Sequence, residues 1–139
     1  MRVAMGEKLG VAKLHLDIRR GDGPAGARWY NFAALTTTER LIAEQPQIAA
    51  GAVRAIAKAQ KALKADPSLA TQIGNRLSFP AEEASQIAGL IARDAPFYDA
   101  KIVPAAVEGL NKFALANRLI AEPIAYDRLV AAQFSQLWI

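Results

Sequence analysis

Two adjacent arginines, Arg19 and Arg20, stand directly before a stretch crowded with glycine and proline, Gly21-Asp22-Gly23-Pro24-Ala25-Gly26. A guanidinium presents its N–H donors as a planar fork and grips oxyanions through paired hydrogen bonds. This pair, with Tyr30 and Asn31 shortly downstream, is therefore the first candidate for binding a small anion. The competing reading makes the same pair two solvated charges at the end of a strand. The loop matches a phosphate cradle only in outline, because Pro24 removes a backbone donor and no helix follows directly to aim its N-terminal amides at a ligand.

Other chemistries find less to work with. His15 is the single histidine, and no cysteine or second histidine stands at metal-ligand spacing, so a surface role is expected and no metal. The absence of cysteine excludes disulfides and thiolate chemistry. Glu82 and Glu83 are neighbours, which on a helix sets them about 100° apart; they suit a helix N-terminus better than a shared proton. Arg54, Lys58, Lys61 and Lys64 lack interleaved aromatic or glycine-rich elements and read as a solvated face rather than a phosphate grip. Neither a nucleophile elbow, a P-loop nor a dinucleotide glycine pattern occurs. The sequence thus points to a non-enzymatic chain with no catalytic residue and no cofactor.

These residues must be positioned by the elements around them. Residues 11–18 alternate, with Leu14, Leu16 and Ile18 on one face and Lys13, His15 and Asp17 on the other, which predicts a half-buried strand. The glycine-rich loop follows, and residues 29–35, aromatic and apolar, predict a second, more buried strand. Thr36-Thr37-Thr38-Glu39 matches a capping box in which Thr36 caps the helix and Glu39 reaches back. Pro46 then opens a long helix whose Ala49, Ala52, Val53, Ile56, Ala59 and Leu63 form one apolar stripe. Asp66-Pro67 predicts a further start, and another lies near Pro80, with an end before Pro96 because Ala95 is pushed from helical angles. Pro104 opens a helix closed by Asn117 in a left-handed conformation. A last helix runs from Tyr126, with Val130, Phe134, Leu137 and Trp138 inward.

Composition bounds the class. A chain of 139 residues, 53% hydrophobic and 7% aromatic, is one domain's worth of core with a helical bias. Lys and Arg exceed Asp and Glu by 17 to 13, too mild an excess to predict a nucleic-acid partner. Met1 to Gly10 lacks the apolar core of a signal peptide, so a soluble chain without its own export signal is expected. Two strands ahead of five or six helices make a lopsided layout, because a two-strand unit is marginal in water. The expectation is that a portion N-terminal to this chain supplies the remaining strands.

Several segments together resemble the nitrate, sulfonate and taurine group of solute-binding proteins, which also includes thiamine-precursor binders. They begin with Leu16-Asp17-Ile18-Arg19-Arg20-Gly21-Asp22-Gly23-Pro24, then Tyr30-Asn31-Phe32, then Thr37-Thr38-Glu39-Arg40-Leu41-Ile42-Ala43-Glu44-Gln45-Pro46. Ala55-Ile56-Ala57-Lys58-Ala59-Gln60, Phe79-Pro80-Ala81-Glu82-Glu83-Ala84, Ala95-Pro96-Phe97-Tyr98 and Tyr126-Asp127-Arg128-Leu129-Val130 continue the set. Their order and spacing cover about residues 11 to 138, corresponding to the C-terminal part of such a protein. Asn117 departs from the pattern, standing where the family more often has glycine.

The resemblance implies an α/β chain of the type II periplasmic-binding-protein kind, here mostly helical with two N-terminal strands. Residues 1–36 would be a remnant of the second lobe with one crossover strand, and residues 37–139 the helical part returning to the first lobe. It implies an extracytoplasmic, periplasmic solute-binding component of an ABC importer. Its partners would be a small anionic solute and the membrane permease, without nucleic acid, and Arg19, Arg20, Tyr30 and Asn31 would face the solute. The alternative is a stand-alone helical protein–protein interaction domain. Unpartnered strands also predict that the isolated chain self-associates.

Overall fold

Three glycines and a proline within six residues break the chain early, and long alanine-rich segments bounded by proline and threonine follow. Helices separated by proline-marked stops are the physical consequence. The computed structural model describes residues 2–17, 22–25 and 33–139. Its helices are α1 (Arg2–Lys8), α2 (Glu39–Glu44), α3 (Pro46–Ala65), α4 (Leu69–Arg76), α5 (Ala81–Asp94), α6 (Pro104–Ala116) and α7 (Tyr126–Leu129). Short 3-10 turns occupy Ala95–Phe97 and Ala132–Leu137.

The expected α/β class is corrected. Among the described residues 64% are helical and none forms a strand or sheet. Residues 11–17 of the first expected strand carry no regular structure, and of the second only residues 33–35 are described, again without strand. Among the described residues the alternation is a true pattern without a ladder to use it. The Leu14 amide is satisfied by the Glu7 Oε1 at 3.2 Å rather than by a neighbouring strand. The face meant for a core stays in solvent, with Leu14 36% and Leu16 55% exposed. Period-2 polarity stabilises a strand only when backbone partners and a covering layer exist. Helix α1, which lay outside the sequence reading, draws the amides of Val11 and Ala12 back onto the Gly6 carbonyl at 3.0 and 3.1 Å.

The chain divides into two compact units, Met1–Arg20 with Lys58–Asp99, and Gly21–Ala57 with Ala100–Ile139. In the first unit α4 packs on α5 through a close approach. Gly74 is buried, and a Cβ placed there would lie 3.2 Å from the Ala84 Cβ. The Thr71 Oγ1 donates to the Ala84 carbonyl at 2.9 Å across the same seam. Lys8 and Glu82 add an exposed ion pair at 3.5 Å, of the kind that contributes little in water.

In the second unit α2 begins two residues later than the expected capping box. Thr38, not Thr36, is the N-cap, its Oγ1 accepting from the Leu41 amide at 3.1 Å, and Glu39 opens the helix where its charge suits the dipole. Gln45, the residue before Pro46, leaves helical angles with φ −141° and ψ 59°, which separates α2 from α3. The Tyr126 hydroxyl donates to the Ile102 carbonyl, and Asn111 holds the backbone of Ile124. The last expected helix is corrected to two pieces: α7 ends at Leu129, Val130 is extended, and the 3-10 turn buries Phe134.

One further start and the conformations at two helix ends differ from expectation. Asp66-Pro67 forms a turn ahead of α4, whose N-cap is Ser68. The Asp66 carboxylate accepts from the Ser68 amide at 3.0 Å and its hydroxyl at 2.6 Å. Helix α5 does end before Pro96, at Asp94, but Ala95 is not pushed from helical angles: it keeps φ −55° and ψ −36° as the chain tightens into a 3-10 turn. Asn117 is not left-handed, having φ −96°; the next residue, Arg118, takes φ 57°.

Arg118 belongs to a recurring device. At the ends of α1, α4 and α6 the residue two positions past the helix is left-handed: Gly10 at φ 69°, Ser78 at 59° and Arg118 at 57°. In each case the next amide reaches back to the helix, Val11 to Gly6, Phe79 to Gly74 and Leu119 to Ala114, at 2.8 to 3.0 Å. This is the Schellman closure, which satisfies terminal carbonyls that would otherwise lack partners. Only Gly10 uses the residue type that adopts the conformation without steric cost.

Candidate functional site

The residues singled out for anion binding, Arg19, Arg20, Tyr30 and Asn31, all lie outside the described residues. His15 falls in the irregular stretch after α1 and is exposed. Arg54, Lys58, Lys61 and Lys64 are exposed on α3, a helix whose own sequence contains no acidic residue. Glu82 is engaged with Lys8 and also accepts from the Gln86 Nε2 at 3.2 Å, while Glu83 sits beside it in the first turn of α5. Among the described residues no group of three or more His, Cys, Asp or Glu could hold a metal ion. No described helix is long and apolar enough to cross a membrane.

What the second unit does build is a groove of about 550 Å³. Its apolar wall is made by Leu35, by Ile42 and Ala43 of α2, by Val53 and Ile56 of α3, and by Val130, Phe134 and Trp138 near the C-terminus. Val53 and Ile56 are three apart on a helix and so share a side. The sequence reading placed them on the apolar stripe of α3, but Ile56 is 47% exposed because it faces the groove instead of a filled core. The link from Tyr126 to the Ile102 carbonyl ties the C-terminal segment to Ile102, itself part of the wall. Val130 and Phe134, at 7% and 9% exposure, anchor that segment.

Polar groups stand among these side chains: Thr36, Thr37 and Glu39 from the start of α2, Asp127 and Arg128 from α7, and Gln133. Two carboxylates accompany one guanidinium, so these groups do not concentrate anions in the way a basic cleft does. The volume falls in the range of small-molecule pockets, and the lining suits an apolar surface with a few hydrogen-bonding points. Of the wall, Val53, Ile56, Val130, Phe134 and Trp138 were legible in the sequence as core and Leu35 as part of a buried strand, while Ile42 and Ala43 entered the reading only within a family-like segment. Thr36, Thr37, Asp127 and Arg128 entered it only as a cap or as parts of the family-like segments, since no sequence signal brings α2 and α7 to one groove. Compared with known proteins, the chain matches no family model, no curated protein and no solved structure.

Proposed function

We propose that this chain is part of the extracytoplasmic solute-binding component of an ABC importer and contributes to holding a small anion of nitrate, sulfonate or taurine type for delivery to a membrane permease. The observation that carries the reading is the ordered series of segments, from Leu16-Asp17-Ile18-Arg19-Arg20 to Tyr126-Asp127-Arg128-Leu129-Val130, that resembles that group of binders. Paired arginines before a glycine-rich loop supply chemistry suited to such oxyanions. The work is recognition, with no bond made or broken, so its measure is affinity.

A second reading, a helical interaction domain, is favoured by one specific observation: the mostly apolar groove leaves Leu35 54%, Ile56 47% and Leu129 53% exposed. Apolar surface left in water is the usual mark of a contact with another polypeptide.

A thermal-shift titration with nitrate, taurine and short alkanesulfonates separates the two. Solute binding predicts that at least one anion raises the melting temperature of the wild-type chain. At about a hundredfold excess over Kd the stabilisation is about 2.7 kcal/mol. The Arg19→Ala/Arg20→Ala variant should lose that rise. A chain that no anion stabilises, yet whose sedimentation shows concentration-dependent association abolished by Ile56→Glu, overturns the first reading in favour of the second.

A further inference from the structure

We draw no further inference here: the strongest candidate, the apolar groove lined by α2, α3 and the C-terminal segment, is the site already described, and nothing in the structure shows what covers it.

Discussion

Asn111 and Ile124 form a two-point clasp: the Asn111 Nδ2 donates to the Ile124 carbonyl at 2.8 Å, while its Oδ1 accepts from the Ile124 amide at 3.0 Å. One carboxamide thereby does for the Ile124 backbone what a neighbouring strand would do, and fixes the segment that leads from α6 into α7. Replacement by Ala removes both bonds, and replacement by Asp removes the donor alone. Urea denaturation should show Asn111→Ala less stable by about 1 to 2 kcal/mol. A midpoint unchanged from wild type would mean that the clasp contributes nothing.

The seam between α4 and α5 should resist any wedge at Gly74. The Cβ of a new side chain would meet the Ala84 Cβ at 3.2 Å and its Cα at 3.4 Å, and Ala84 is itself fully buried. Gly74→Val is expected to destabilise the chain by about 2 kcal/mol, in the range of an overpacked interior. Gly74→Ala gains helix propensity of up to about 1 kcal/mol against a smaller clash, so it should fall well short of the valine variant. Melting curves followed by circular dichroism rank the three proteins. Equal melting temperatures for wild type and Gly74→Val would refute the close approach.

The left-handed residues give a test of register. Arg118→Gly and Ser78→Gly relieve a steric cost of about 1 kcal/mol each and should raise stability by up to that amount. Asn117→Gly should do the reverse, since Asn117 is not left-handed and its Nδ2 donates to the Phe113 carbonyl at 2.8 Å. If Asn117→Gly were the stabilising change, the helix would end one residue earlier than described.

Capping supplies a parallel contrast at α2. Thr38→Ala removes the oxygen that accepts from the Leu41 amide and should cost about 1 kcal/mol, whereas Thr36→Ala should change stability by a few tenths at most. Guanidinium titrations of the two variants decide between them. A larger loss at Thr36 would restore the capping box read from the sequence.

Two helix starts marked by proline were legible because proline acts locally. Pro46 and Pro104 each open a helix, since the ring fixes φ and the missing N–H is not needed there. The stops were less legible. Asn117 was the residue type suited to a left-handed position, but the closure depends on which amide can reach the Ala114 carbonyl, and that falls to Leu119, with Arg118 taking the left-handed angle and donating to the Leu115 carbonyl. At Ala95 the preference imposed by Pro96 was outweighed, and the residue stays helical and buried. The strand expected at residues 11–18 failed, over the described residues 11–17, for a non-local reason. Alternation describes one segment, whereas a ladder needs a second, and the Leu14 amide found Glu7 instead. The groove was hidden for the same reason: Val53, Phe134 and Trp138 read as interior from their spacing, and only their assembly leaves space between them.

The buried apolar set among the described residues is dominated by small side chains: Ala49, Ala57, Ala70, Ala84, Ala95 and Ala106 beside Val107, Val130 and Phe134. A methyl group withdrawn from water yields only about 0.8 kcal/mol, so cohesion here is spread thinly over many sites. Enlarging one of these alanines should therefore do more harm than trimming a leucine elsewhere, an inversion of the hierarchy expected of proteins whose interiors are built from bulk.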